Sequence, residues 1–278
     1  MKQRIDLHLH TNQSDGTYSP AELLEVVRNL DLVAFAVTDH DTLKGYLEIR
    51  ELRRNGDSEL IPGVEFSCSS SAKDIHILAY LFDTDNEPLH RAIEQFQGGR
   101  NKRGAQIVKR LNELGVEITF EEVLKEAGGA PVGRPHVAAA LHARKAVSTY
   151  EHAFHKYIGD GRPAFVPKKN FAPREAIELV HQARGVAVLA HPMVDNSVAL
   201  VEDLVALGLD GIEVYHPSHR QADVDRLKHL AERLRLLCSG GSDFHGRGAN
   251  HGTVGSEPVP VEYLDKLKER AAKKRESN

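Results

Sequence analysis

Between Arg4 and His10 the chain alternates without a break, with Ile5, Leu7 and Leu9 on one side of the pattern and Asp6, His8 and His10 on the other. Successive side chains in a strand point to opposite faces. The stretch therefore reads as a β-strand with one face for packing and one that carries a carboxylate and two imidazoles. A strand whose polar face was merely solvated would carry Thr, Lys or Glu there more often than paired histidines. The pattern then returns. Leu32 to Val37 runs into Thr38-Asp39-His40-Asp41, Glu59 to Val64 into Glu65, and Val186 to Ala190 into His191-Pro192. Gly211 to Tyr215, which carries Glu213, runs into His216-Pro217, and Leu236 to Ser239 runs into Gly240-Gly241-Ser242-Asp243-Phe244-His245.

Helix signals separate these runs. Ser19-Pro20-Ala21-Glu22 supplies a capping Ser, a Pro for the first helical position and a Glu for a capping box, which predicts a helix from Pro20 to Asn29. Further helices are expected over Leu43 to Asn55, Arg174 to Arg184 (opened by Pro173), Val198 to Leu207, Ala222 to Arg235 and Val261 to Lys274, with the last few residues frayed. Strands alternating with helices predict a (β/α) barrel, whose strand ends share one rim. One link breaks the rhythm. Phe66 to Asp74 offers nine Ser-rich residues between Glu65 and the apolar run Ile75 to Phe82, and a parallel crossover needs about a dozen or more. The expectation is an antiparallel step that returns His76 beside Glu65.

From Pro88 to Lys168 the strand rhythm stops. Thr119-Phe120-Glu121-Glu122 and Ser148-Thr149-Tyr150-Glu151 read as capping boxes, and Pro135 can open a helix from His136 to Arg144, so this region is a helical insertion. Its charge differs from the rest. Gly98 to Asn170 holds 13 Lys+Arg against 7 Asp+Glu, which leaves 23 against 33 elsewhere in the chain. A basic segment in an acidic body is the sign expected where an anionic substrate or an RNA end approaches.

At 278 residues the chain can form one large α/β domain with a smaller one inserted. No internal repeat or low-complexity segment is evident, and no apolar run nears the ~20 residues that cross a bilayer. A cytoplasmic protein without a targeting segment or membrane contact is expected, with Cys68 and Cys238 as two small buried hydrophobes. The unusual count is 16 His. His90, His142, His152, His155, His181 and His229 fall on predicted helices, where a solvated or capping role is the expectation.

The strand-end set is different. His8, His10, Asp15, His40, Glu65, His76, His191, Asp243 and His245 would meet at one rim. A single zinc site uses about four protein ligands at most, so nine imply two or three divalent ions. Imidazole and carboxylate without thiolate suit Mn, Fe or Zn, and the donor types do not choose among these.

The runs Asp6-Leu7-His8-Leu9-His10-Thr11, Thr38-Asp39-His40-Asp41, Gly63-Val64-Glu65, His76, Ala190-His191-Pro192 and Ser242-Asp243-Phe244-His245 resemble the successive motifs of the PHP (polymerase and histidinol phosphatase) family. The resemblance implies a distorted (β/α)7 TIM-like barrel, the PHP fold, over residues 1–90 and 169–278, with a helical insertion over 91–168. It also implies a trinuclear site, often Mn2+ with Fe2+ or Zn2+ as alternatives, and hydrolysis of phosphoesters by a metal-activated hydroxide. Carried over, it places His8, His10, Glu65 and Asp243 on one ion, Glu65, His76 and His191 on a second, and Asp15, His40 and His245 on the third. Within the family, Gly133-Arg134-Pro135-His136 resembles the branch of nucleoside 3′,5′-bisphosphate phosphatases, some of which trim RNA from a 5′-phosphate end.

Three residues outside the nine are candidates for catalysis or substrate contact. Arg134 could clamp a phosphate in bidentate fashion, and His216 could contact phosphate or protonate the leaving oxygen. Asp41 is the third. A nucleotide or a short RNA 5′ end is the expected partner, and no protein partner is evident. The alternatives are a histidinol phosphate phosphatase, against which the basic insertion speaks, and an amidohydrolase, which would favour a strand-end Lys where Glu65 stands. A metal-loaded RNA-binding module without turnover is a reading of another class. It would call for aromatic stacking clusters and strong overall basicity, which are missing here.

Overall fold

The computed structural model describes residues 4–70, 73–167, 171–246 and 252–276. Seven strands form one sheet in sequence order: β1 (Arg4–Leu9), β2 (Leu32–Val37), β3 (Glu59–Ser70), β4 (Lys73–Tyr80), β5 (Val186–Leu189), β6 (Gly211–Tyr215) and β7 (Leu237–Gly240). All neighbours run parallel except β4, which is antiparallel to both β3 and β5. The end of β1 meets the chain just beyond β7, where Leu9 bridges to Phe244 and the His10 N–H donates to the Phe244 carbonyl at 2.9 Å. Gly241 permits that approach, because a Cβ there would stand 2.4 Å from the His8 nitrogen. The result is a distorted TIM-like α/β barrel.

The chain divides into two compact units, Met1–Arg91 with Asn170–Asn278, and Ala92–Lys169. In the first, α1 (Pro20–Arg28) begins with the full Ser19 and Glu22 capping box, and α2 (Lys44–Leu52) stops three residues short of the predicted end, where Arg53 turns extended. Leu23, Leu24, Val27 and Ile49 of these helices pack on Leu9, Phe35 and Val37. A second cluster joins Ile5, Leu7, Ala34, Ala36, Val186 and Val188, leaving β1 buried on both faces beyond Arg4.

β3 runs longer than expected. Its residues past Glu65 are not a loop but pair one for one with β4, from Gly63 with Tyr80 to Ser70 with Lys73. Phe66 and Cys68 are buried and supply the apolar packing of this part of β3. Cys68 matches its expectation, whereas Cys238 is half-exposed.

The 27-residue α3 (Glu87–Glu113) contains the division between the units. The second unit continues with α4 (Phe120–Ala127), α5 (Arg134–Ala143) and α6 (Tyr150–Ala153), then one π-helical turn at Phe154–Ile158. Its own core includes Leu111, Ile118, Val123, Val137, Leu141 and Ile158. The Thr119 capping box is present, but α6 is capped by Thr149, not Ser148, with His152 rather than Glu151 at the position that donates to the cap. α5 starts two residues before His136, and the His136 ring accepts from the Gly133 N–H where a Glu would stand in an ordinary box.

Back in the first unit lie α7 (Pro173–Gln182), α8 (Val201–Ala206, entered by a 3-10 turn at Ser197–Leu200), α9 (Gln221–Leu234) and α10 (Val261–Glu276). α10 runs two residues past the predicted end at Lys274, so Arg275 and Glu276 are helical and not frayed, and the rest of that expectation falls on 277–278, outside the described residues. Just before β6, Asp210 is almost fully buried and takes four donors: His181 Nε2 at 2.8 Å, the Ala187 N–H at 3.0 Å, Arg270 at 2.8 Å and Lys274 at 2.9 Å. It ties α7 and α10 to the sheet.

Candidate metal centre

Each strand end delivers its polar residues to the same rim. The β1 alternation places His8 and His10, both fully buried, and the loop after it returns Asp15. The β2 and β7 exits bring His40, Asp243 and His245, while β5 brings His191. The antiparallel pair sets Glu65 in mid-strand opposite the early part of β4, so that His76 Nδ1 lies 2.9 Å from Glu65 Oε1. Asp41, His191 and Asp243 hold φ of +53°, +26° and +47°, a region that L residues other than Asn and Asp seldom adopt. The chain turns sharply there as it leaves each strand.

All nine predicted ligands converge. His8, His10, Glu65 and Asp243 form one group: His8 Nε2 is 3.1 Å from Glu65 Oε2 and 3.2 Å from Asp243 Oδ1, and His10 Nε2 is 3.2 and 3.3 Å from the same two oxygens. A second group is His10, Asp15, His40 and His245, with Asp15 oxygens 3.4 Å from His245 Nε2 and 3.7 Å from His40 Nε2. The third is His40, Glu65 and His76. His191 stands beside it, with Nε2 3.1 Å from Glu65 Oε1 and 3.3 Å from His76 Nδ1. These groupings share His10 and His40 more widely than the resemblance implies.

The donor set fits divalent ions. Both ring nitrogens of His10, Nδ1 of His40 and Nδ1 of His191, and Asp15 Oδ1, are buried without a hydrogen-bond partner, although they lie among complementary charges. Buried polar atoms are normally paired, and lone pairs aimed at a common point are what a cation would satisfy. Electrostatics agree. Burial favours the neutral imidazole at His8, but Glu213, Glu65 and Asp243 outweigh it and hold its pKa well above the ordinary value. Burial is likewise overcome at His10, which Asp243 and Glu65 raise to about 10. His40, 4.9 Å from His10, goes the other way, to about 3, because burial dominates. Without ions, the buried carboxylates thus draw protons onto His8 and His10 but not onto His40.

Ligation requires those imidazoles to be neutral. Since folded His8 and His10 keep their protons above the ordinary range, metal uptake at pH 7.5 should release roughly one or two protons, and affinity should fall as pH falls. Calorimetric Mn2+ titration in two buffers of different ionisation enthalpy reads the number directly; a value of zero would contradict this electrostatic account.

Four buried carboxylates, all 0–1% exposed, surround the nine. Glu213 accepts from His8 Nδ1 at 2.9 Å and from the His191 N–H at 2.8 Å, which turns His8 Nε2 toward Glu65 and Asp243. Asp39 accepts from the Thr11 N–H and hydroxyl and from Ser14, all at 2.7 Å, and so braces the loop that carries Asp15. Asp6 accepts from the N–H groups of His8, Ser242 and Gly255. Asp41 accepts from the Ser67 N–H at 2.9 Å, an attachment to β3 that sequence reasoning, which took Asp41 as a catalytic candidate, did not foresee. Glu213 was also missed as a site residue. Its signal was a carboxylate inside the otherwise apolar or aromatic run Gly211 to Tyr215.

His216 lies at this rim, 3.3 Å from Asp243. Arg134 belongs to the second unit, at the start of α5, where it pairs with Asp160 at 2.5 Å and faces Phe165 and Phe154.

The fold and a rim of clustered imidazoles and carboxylates define a metal-dependent hydrolase. The chain belongs to the PHP domain family, whose sequence profile matches residues 6–161. It is 32% identical over 250 residues to a 5′-3′ exoribonuclease of Haemophilus influenzae, with 88% of this chain and 91% of the relative covered. It is 30% identical to the 3′,5′-nucleoside bisphosphate phosphatase of Chromobacterium violaceum, with 92% of each covered. The phosphoribosyl 1,2-cyclic phosphate 1,2-diphosphodiesterase of Eggerthella lenta is 33% identical, over 87% of this chain and 94% of that one. A solved structure from Bifidobacterium adolescentis, classed among metal-dependent phosphoesterases, superposes with a TM-score of 0.85 at 32% identity over 96% of both chains. No helix among the described residues is long and apolar enough to cross a membrane.

Proposed function

We propose that this protein removes the 3′-phosphate from nucleoside 3′,5′-bisphosphates, such as adenosine 3′,5′-bisphosphate, and also trims short 5′-phosphorylated RNA from its 5′ end. The observation that carries the reading is the convergence of nine imidazole and carboxylate side chains around Glu65. The Chromobacterium and Haemophilus relatives supply the substrate class. Cys68 and Cys238, which form no disulfide with each other, suit a reducing cytoplasm as the place of action.

In this reading His8, His10, Glu65 and Asp243 hold one ion, Glu65, His76 and His191 a second, and Asp15, His40 and His245 a third, with Mn2+ as the proposed metal. Divalent ions at such a site lower the pKa of water toward ~7 and offset phosphoryl charge. The chain's own part is to fix the ligands. Glu213 holds His8 with its Nδ1–H turned away from the rim, and Asp39 and Asp6 hold the backbone on either side of the ligand positions.

The helical unit contributes substrate binding through Arg134. Its partner Asp160 has a side chain 80% exposed, and a guanidinium paired with such a carboxylate can exchange it for a dianionic phosphate in fork geometry. Arg134→Ala should raise KM or lower kcat by about 10-fold or more, in line with ~1.5–3 kcal/mol for a charged hydrogen bond, while metal content stays at the wild-type value. Unchanged kinetics would remove Arg134 from substrate binding.

The functional test is phosphate release by Mn2+-loaded protein from adenosine 3′,5′-bisphosphate. 3′-AMP, 5′-AMP, histidinol phosphate and phosphoribosyl 1,2-cyclic phosphate run alongside, with His8→Ala as control. The expected products are 5′-AMP and phosphate. Turnover of the cyclic diester alone would favour the chemistry of the Eggerthella relative, and turnover of histidinol phosphate alone would overturn the nucleotide reading.

A further inference from the structure

His216 follows β6 directly and is 3% exposed, walled in by the rings of His191 at 5.6 Å, His219 at 5.1 Å and His8 at 6.5 Å. Both of its nitrogens are engaged. The Ser218 N–H donates to Nδ1 at 3.1 Å, so Nδ1 serves as an acceptor and Nε2 is the nitrogen left to donate. Nε2 faces Asp243 Oδ2 at 3.3 Å. The turn that presents it is pinned twice more. The His219 N–H donates to the His216 carbonyl at 2.8 Å, and His219 Nδ1 bonds the Val214 carbonyl at 3.0 Å.

Asp243 needs such an anchor. Its backbone is in the left-handed region, and its Oδ1 stands among the proposed ligands, 3.2 Å from His8 Nε2 and 3.3 Å from His10 Nε2. A donor on Oδ2 fixes the carboxylate plane and leaves Oδ1 directed at the cluster. A ring with one nitrogen taken by a backbone N–H and the other turned to Asp243 has none left for the substrate.

We propose that His216 is a positioning residue that orients Asp243 for the ion held with His8, His10 and Glu65, and that it neither donates a proton nor contacts phosphate. The proposal rests on the metal-dependent phosphatase reading.

The test compares His216→Ala and His216→Gln with wild type, because a Gln amide can place an N–H near the former Nε2. Mn2+ affinity and stoichiometry of the metal-stripped proteins are measured first. Then kcat and KM are measured with adenosine 3′,5′-bisphosphate and with p-nitrophenyl phosphate, whose leaving group needs no proton. Alanine should weaken one Mn2+ site by about 10- to 100-fold and lower kcat on both substrates alike, and glutamine should restore most of both. Wild-type Mn2+ affinity in the Ala variant, with a defect on the bisphosphate that vanishes on p-nitrophenyl phosphate, would make His216 the proton donor and overturn the proposal. A Gln variant no better than Ala in Mn2+ affinity would overturn it too. If wild type turned over neither substrate, the functional reading would fail, and the affinity series would still decide His216.

Discussion

Replacing Glu65 with Gln is expected to lower turnover by on the order of 10³-fold, about 4 kcal/mol of transition-state stabilisation, and to reduce the number of bound ions. Five histidines of the centre stand against the two oxygens of Glu65. One oxygen stands against His76 and His191 at 2.9 and 3.1 Å, and the other against His8, His10 and His40 at 3.1, 3.2 and 3.5 Å. Gln keeps the volume but turns one of these acceptors into a donor that points at imidazole nitrogens and removes a charge shared by two proposed ions. Metal analysis after gel filtration and steady-state kinetics check the two effects together. A variant with full metal content and ordinary turnover would mean that Glu65 is not the bridge.

The second large effect is on stability, at the other buried carboxylate network. Asp210→Ala should cost about 3 kcal/mol, because it leaves the buried Ala187 N–H unpaired and takes a charged hydrogen bond from each of the partly exposed Lys274 and Arg270. For a chain of this size that is a drop of roughly 6–12 °C in thermal midpoint. Burial raises the Asp210 pKa, but His181 and Lys274 outweigh it and hold the group at about 2. A folded pKa below the unfolded value near 3.8 stabilises above about pH 4, and the gain disappears as pH falls toward 2. Melting curves should therefore show the gap between wild type and variant narrowing below pH 4, and a gap unchanged at pH 3 would refute the charge argument.

Much of the barrel was legible because its signals are local. Short β-branched runs read as strands, Ser19 and Pro20 mark a helix start, and a nine-residue link is too short for a parallel crossover. The gathering of imidazoles and carboxylates at one rim also followed, because the strand ends recur in register with the fold's repeat. What stayed hidden depends on partners distant in sequence. The Ser residues beyond Glu65 have low strand propensity alone, and only pairing with β4 makes them strand. Glu213 looks like any strand carboxylate until His8, 205 residues away, is placed beside it. The setting of the His216 ring depends on a tight turn at Ser218 that no periodicity announces.

The left-handed backbone at His191 and Asp243 has a consequence for how such a chain could change. A side chain in that region costs about 1–2 kcal/mol against glycine, which would sit there at ease. Selection for heat resistance alone would thus reward glycine at both positions, while selection for turnover would keep the histidine and the aspartate. The two pressures oppose each other where the strands end, and a lineage forced toward higher temperature would have to find its gains in the helices and the far side of the sheet.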